Sequence, residues 1–546
     1  MLGLVSNSPG LAASDALKAA IPIGIGLASA AYLTMKAVAG DGFGSDKSIP
    51  IASLRAGDST HDKEYYEDQD AFIDRCQSEN GDVFGIYLMN KNQIVVSGPM
   101  VREVFMNEDF SAGDSIDELT SMRSYFRSMT KSNADLDNRT IHELVRDNIT
   151  PYLPRYTARI VLQLEKNLDI EMAKYEATCR KEDGRILVEK PITILQEMVA
   201  NAMATVFVGP EIAKDRHVIE TFIHAAADFG KVLGSGEARR HSAWKSFLRR
   251  TEHRIMNPLH KHIRVLVDAS TPVVLERRRL EKEAEAQGRV YERPDDILQK
   301  LLDSFDKYHF VDLEDVCGHL MILILASVHT TTDTSTNLLF YLAAYPQYIQ
   351  TLYEEQKEVL DQIQKEREAQ RLELLAKGEP IGDDLDPSED RFLTAAAIKR
   401  MAHMDSFVRE VFRNRIDRLT LGHKARKDIT LSNGMVISKG VTAIINMKSA
   451  HQSPSQGEDV TEFRPWRFVG KSKAATKAAA DFLPFGMGKH ACPGRFLAIQ
   501  ELKTIGVLML SRYSMLEIQD PSKTTKILRS RIGTPTISGL IFTERK

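Results

Sequence analysis

The chain has 546 residues, 43% of them hydrophobic and 27% charged, the composition of a globular protein long enough to bury a large core. Its formal net charge of -3 gives no electrostatic reason to expect a nucleic-acid partner. Four scattered cysteines, at 76, 179, 317 and 492, form neither a disulfide framework nor a zinc cluster, and fit a reducing compartment.

Taken in chain order, residues 19–35, "AAIPIGIGLASAAYLTM", come first. They carry no charge and lie between Lys18 and Lys36. A helix that crosses a bilayer needs roughly 20 apolar residues, with about 17 as the lower limit. Residues 19–38 are therefore expected to be an uncleaved membrane anchor behind a short tail, residues 1–18. A cleaved signal or a surface-lying helix is the alternative. Lys36, Lys47 and Arg55 follow the run and few basic residues precede it, a bias that puts the main body in the cytosol. Residues 39–60 read as a linker.

Residues 81–98 alternate apolar and polar around "NKN", which predicts a β-hairpin. Most of residues 100–420 read as helices. The basic run "RRHSAWKSFLRR", residues 239–250, is either a solvated helix face or a contact for a membrane or acidic partner. Residues 313–344 predict one long helix. Its middle is apolar on all sides and then turns polar in "SVHTTTDTST". Polar groups inside a buried helix are costly unless they are paired. Either these hydroxyls bond back to carbonyls four residues earlier, or they serve a site. Residues 355–391 are highly charged and predict a solvated helix followed by a surface loop. Residues 429–446 return to β structure, with Asn433-Gly434 as a turn. The final 25 residues are expected to be β-rich, and no internal repeat is visible.

The stretch "FGMGKHACPG", residues 485–494, packs three glycines and one cysteine into ten positions. Zinc would want three more ligands near Cys492, and a nucleophile would want a group that lowers its pKa. A single thiolate suffices as the axial ligand of a haem iron. That role wants a backbone close beneath a flat ring, which Gly486, Gly488 and Gly494 would allow. A buried cysteine in a glycine turn is the plain alternative. The helix expected after Pro493 would set its positive end near the sulfur.

The string resembles the haem-binding loop of the cytochrome P-450 family, F-G-x-G-x-[RH]-x-C-x-G, at Phe485, Gly486, Gly488, His490, Cys492 and Gly494. Two further motifs carry the resemblance. "REVFR" supplies Glu410 and Arg413 in the family's E-x-x-R form, and "FRPWRF" supplies Arg467 in F-x-P-x-R-F. The resemblance implies that these three form a buried structural set that fixes the Cys492 loop. It also aligns Ala326, Ser327, Val328, His329, Thr330 and Thr331 with the family's oxygen-activating helix. There small Ala326 leaves room for dioxygen and Thr330 donates a hydrogen bond. His329 stands where the family usually carries an acid, and it could relay protons near neutral pH. His142 and Arg146 resemble the family's W-x-x-x-R helix with His for Trp. With His490 and His423 they are candidate partners of the haem propionates.

The resemblance covers residues 61–546 as one catalytic domain. It implies a mainly α fold, a helical triangular prism with small β-sheets, added to the transmembrane helix. It implies a haem b cofactor and electrons from NADPH through a separate flavoprotein, NADPH-cytochrome P-450 reductase, with cytochrome b5 as an additional candidate. It further implies an apolar small-molecule substrate and a single-pass place in the endoplasmic reticulum membrane. "VFVGPEI" and "HTTTDT" look like fungal biosynthetic members, which points to secondary metabolism. A reductase-independent haem-thiolate isomerase or dehydratase, and a non-catalytic haem-binding protein, are the alternative readings.

Overall fold

The computed structural model describes residues 49–546, except 90, 121, 133–139, 234–256, 381–392, 416–417 and 530–536; for 231–233 and 490 it describes the backbone only. The expected anchor at 19–38, the linker up to residue 48, the basic run 239–250 and most of the charged loop lie outside the described residues.

Helices α1 (Asp62–Glu67) and α2 (Gln69–Asn80) lead into a hairpin of β1 (Val83–Leu88) and β2 (Lys91–Val96), paired antiparallel as the alternation predicts. Next come α3 (Met100–Met106), β3 (Phe110–Ser111), α4 (Ala112–Thr120), α5 (Met122–Met129) and α6 (Thr140–Asn148). The helical body follows: α7 (Leu153–Cys179), strand β4 (Ile186–Val188), α8 (Pro191–Phe207), α9 (Arg216–Leu233), α10 (Leu259–Ala286), α11 (Ile297–Asp303), α12 (Leu313–Ala344), α13 (Ile349–Lys377), α14 (Ala395–Arg400) and α15 (Ala402–Asn414). The chain then returns to β structure in β5 (Leu419–Ala425), β6 (Ile429–Thr430), β7 (Val436–Ile437) and β8 (Thr442–Asn446). It ends with α16 (Met447–His451), α17 (Arg495–Arg512), β9 (Tyr513–Ile518), α18 (Thr524–Leu528) and β10 (Leu540–Glu544).

The largest sheet has the order β1-β2-β8-β5-β3, and β2 and β8 run parallel. One of its faces packs on α1 and α2 through Phe84, Ile86 and Val95; the other packs on α3 through Ile94, Val96 and Val104. A second sheet joins β4, β10 and β9. Among the described residues, the end of the chain is less β-rich than expected. Of the final 25 residues β10 is the described strand, its partner β9 lies earlier, and Pro521 opens a turn that runs into α18.

The centre of the body is α12, and its bounds match the predicted span. The Asp312 carboxylate accepts from the Asp315 N–H at 3.0 Å and starts the helix. Pro346 follows its last turn and bars continuation. Among the described residues α12 is the one helix long and apolar enough to cross a membrane. Here it is a core helix, with Leu320, Met321, Ile322, Leu323 and Ile324 all buried. It packs against α8, α10 and α17, and so crosses the molecule above the loop that carries Cys492.

Candidate active site

The site begins with the loop that enters α17. Gly486 and Gly488 take positive φ values of 65° and 62°, where a side chain would be strained. The Cys492 N–H donates to the Phe485 carbonyl at 2.7 Å and closes the loop. A Cβ on Gly488 would stand 3.0 Å from Met106 Sδ of α3, so this glycine answers to the protein side of the loop. Gly494 has an ordinary φ of -78°, and a Cβ there would lie 3.9 Å from Cys492 Sγ, a normal contact. The positive φ of both glycines and the seat of Gly488 against Met106 favour glycine at these positions.

Cys492 exposes its side chain to a cavity of ≈ 410 Å³. Ala326, Thr330 and Thr331 of α12, His142 of α6, Phe485 and Glu501 share the walls. Burial pushes the Cys492 thiol pKa up, while the N–H groups of Gly494 and Arg495 and the Arg495 charge pull it down.

Ala326 and Thr330 lie one turn apart and both open on this cavity. The Thr330 hydroxyl donates to the Ala326 carbonyl at 2.7 Å. Thr332, Thr334 and Thr336 bond back in the same way, at 2.8, 2.7 and 2.8 Å. Thr331 instead donates to Glu501 Oε2 at 3.3 Å. His329 does not line the cavity. Its Nε2 lies 3.4 Å from Asp333 Oδ2, and burial pushes that carboxyl up against the pull of His329 and Arg415.

Glu501 was not among the residues that the sequence singled out. It is fully buried, its Oε1 has no partner, and burial pushes its pKa up to about 8. Thr331 offsets only part of that shift. The carboxyl is therefore protonated at neutral pH, a neutral acid in the cavity wall. Its helix also carries Gln500 and Lys503 beside it, so the sequence held no signal that this glutamate is buried. In the unfolded chain it ionises above about 4.5. Between about pH 4.5 and 8 the folded state thus holds a proton that the unfolded state has lost, and stability falls as pH rises. Glu501→Gln is expected to remove this slope and to raise the denaturation midpoint at pH 8 more than at pH 5. Parallel pH curves for the two proteins would reject a protonated Glu501.

The candidate propionate partners separate. His142 lines the cavity. His423 is buried, its Nδ1 lies 2.7 Å from the Leu421 carbonyl, and it lines an adjoining cavity with Cys492 and Phe485. Arg146 is not brought to either cavity. Its guanidinium donates to Asp147 at 2.7 Å on the exposed side of α6, where the adjacent carboxylate is within immediate reach. His490 closes the short 3-10 turn Gly488–His490; its side chain lies outside the described residues.

Glu410, Arg413 and Arg467 meet as the motifs imply. Arg413 forks onto Glu410 with two donations of 2.7 Å, and Arg467 Nε adds a third at 3.2 Å. The Arg464 N–H also donates to Glu410, at 2.9 Å. The remaining guanidinium donors reach carbonyls, among them those of His451, Asp459 and Glu462. Every charge in this buried set is paired and hydrogen-bonded, which such burial requires. His451, another residue the sequence did not single out, links the set to the loop. Its Nε2 accepts from the Leu483 N–H at 3.0 Å, so its Nδ1 is the N–H that donates to the Arg413 carbonyl at 3.2 Å.

A mainly helical prism with small sheets, and one cysteine facing a largely apolar cavity beneath a central helix, define a haem-thiolate type of protein. The family model for Cytochrome P450 matches residues 62–378 and 382–540. The chain belongs to the cytochrome P450 family of haem-carrying monooxygenases. Relatives include Cytochrome P450 monooxygenase 151 of Postia placenta, 27% identical, with 81% of this chain and 82% of that protein covered. Cytochrome P450 monooxygenase paxP of Penicillium paxilli is 27% identical over 68% of this chain and 65% of its own length. The solved structure of a retinoic acid-bound cyanobacterial CYP120A1 shares the fold with a TM-score of 0.58 at 16% identity, covering 91% of this chain and all of that one. The residues here fit a haem: one sulfur faces the cavity, N–H donors flank it, and the cavity walls are largely apolar.

Proposed function

We propose that this protein is a monooxygenase of apolar small molecules in secondary metabolism, with a haem b held by Cys492 and electrons delivered from NADPH by NADPH-cytochrome P-450 reductase. Cytochrome b5 is an additional candidate donor. Residues 19–38 anchor it in the endoplasmic reticulum membrane with residues 61–546 in the cytosol; the uncharged run and the basic residues that follow it support this reading. The observation that carries the function is that Cys492 and the Ala326–Thr330 turn open on one cavity.

Such a haem supplies reductive activation of dioxygen and transfer of one oxygen atom to a C–H bond. The protein's own residues do the rest. Cys492 offers a thiolate steadied by the N–H groups of Gly494 and Arg495. His142, His423 and His490 are proposed to meet the propionates. Ala326 keeps the turn beside Thr330 small. The Thr330 hydroxyl spends its proton on Ala326, so it offers lone pairs to the cavity and must rotate to donate. Behind it Glu501 holds a proton in hydrogen-bond contact with Thr331. His329, paired with Asp333, is proposed as the proton carrier in place of the usual acid. The largely apolar walls exclude water and favour an apolar substrate.

Expression with a reductase and NADPH, followed by mass spectrometry of host metabolites, tests the reaction; a product that forms without NADPH and O₂ would favour the isomerase reading instead. Thr330→Ala is expected to raise the hydrogen peroxide released per NADPH severalfold and to lower product yield. An unchanged ratio of product to NADPH would remove Thr330 from oxygen activation.

A further inference from the structure

Arg409 of α15 precedes Glu410 but takes no part in its set. It is 1% exposed, and among the described residues no carboxylate stands within ion-pair distance of it. Burial pushes its pKa down to about 10, so it stays charged at neutral pH. A buried cation without an anion is costly unless other groups take it up. Here Nη1 donates to the carbonyls of Ala474 at 2.7 Å and Lys477 at 3.2 Å. Its Cζ lies 3.6 Å from the ring centroid of Phe482 and 4.7 Å from that of Phe468, and ring faces attract a desolvated cation.

Asp405 stands one turn earlier on the same face of α15. Its Oδ2 accepts from the Ala475 N–H at 2.9 Å, and its Oδ1 lies 3.4 Å from Lys503 Nζ of α17, a lysine only 3% exposed. The two side chains therefore grip the turn 474–477 by one N–H and two carbonyls. Phe482 carries that grip onward. It exchanges backbone hydrogen bonds with Ala479 at 2.8 and 3.1 Å, and it stacks on His451 with centroids 5.6 Å apart and 19° between the rings. The next residue is Leu483, whose N–H bonds to His451 and which leads into the loop of Cys492.

We propose that Arg409 and Asp405 are positioning residues for the Cys492 sulfur: they clamp residues 474–482 so that Leu483 enters the loop at a fixed place. This rests on the monooxygenase reading above, which needs the sulfur held still. The clamp is separate from the Glu410 set. Arg413 and Arg467 bond to His451 and to residues 458–462, and the Arg464 N–H to Glu410, all before the stretch that Arg409 and Asp405 hold.

The test compares the haem-loaded wild type with Arg409→Met, Arg409→Lys and Asp405→Asn. Amide hydrogen exchange is read by mass spectrometry over residues 474–492 and over α12, alongside the carbon monoxide spectrum of the reduced protein. Arg409→Met fills similar space without charge. It is expected to speed exchange in 474–492 by about tenfold, the worth of one lost charged hydrogen bond, while α12 keeps its wild-type rate. The same variant should lose the red-shifted Soret band to a shorter-wavelength form about threefold faster than the wild type or more. Asp405→Asn should act in the same direction and more weakly, because its amide oxygen still accepts from Ala475. Arg409→Lys keeps a charge against the rings and should recover most of the wild-type behaviour. Unchanged exchange in 474–492 in Arg409→Met, a rise spread equally over the chain, or a lysine variant no better than methionine overturns the proposal. If Arg409→Met does not fold, Asp405→Asn decides by the same readings. A wild type without the red-shifted band counts against the haem-thiolate reading alone, because hydrogen exchange decides the clamp independently.

Discussion

Cys492→Ser is expected to abolish the red-shifted Soret band that reduced, carbon monoxide-treated haem-thiolate proteins display, and to bring turnover to background. Serine matches the shape of cysteine, but its hydroxyl does not ionise at neutral pH. The electron push that a thiolate supplies is lost with the sulfur. The fold should survive, because the side chain faces the cavity and packs little of the core. The unfolding free energy of the haem-free chain should then change by less than about 1 kcal/mol, typical of a change away from packed positions. An unaltered carbon monoxide spectrum in this variant would end the haem-thiolate account. A chain that no longer folds would show instead that Cys492 is a packing residue.

Glu410→Ala and Arg413→Ala are expected to give chains that hold no haem and accumulate poorly. Glu410→Ala leaves Arg413 and Arg467 buried without their carboxylate, and Arg413→Ala leaves Glu410 with Arg467 as its one charged partner. Breaking a buried pair in this way costs about 3–5 kcal/mol, against a total stability of about 5–15 kcal/mol for a typical domain. Arg413→Ala further strands the carbonyls of His451, Val460 and Glu462 that its guanidinium now satisfies. Haem content per chain and the denaturant midpoint measure both effects. Arg413→Lys should recover part of the charge pairing but not the two-pronged geometry. Normal haem loading in either alanine variant would show that the set does not position the loop.

What could be read from the sequence followed from how local each signal is. The β1–β2 hairpin and α12 were legible because alternation and an apolar run sit within one element. The Glu410–Arg413–Arg467 set was legible because two motifs fix residue types at fixed spacings. The partner that Arg146 takes was not legible, because the chain alone does not tell whether a guanidinium at that helix position turns inward or, as here, bonds the carboxylate of the next residue, Asp147. Glu501 escaped for another reason: nothing in "FLAIQEL" tells whether a glutamate faces solvent or α12, and that is decided by two helices far apart in the chain. His451 escaped likewise, since its two partners, Arg413 and Leu483, come from opposite sides of it in sequence.

His451 also governs how this protein should fail in acid. Its ring is sealed from water, and burial drives its pKa down to about 3 from the ordinary 6.5. In the intact molecule it stays uncharged across that whole interval, whereas in the denatured chain it takes up a proton. Souring the medium from about pH 6.5 toward 3 therefore rewards unfolding without first loosening the tether to Leu483. Inactivation on that side should come as an abrupt collapse of the entire molecule, with no graded drift of the sulfur from its seat.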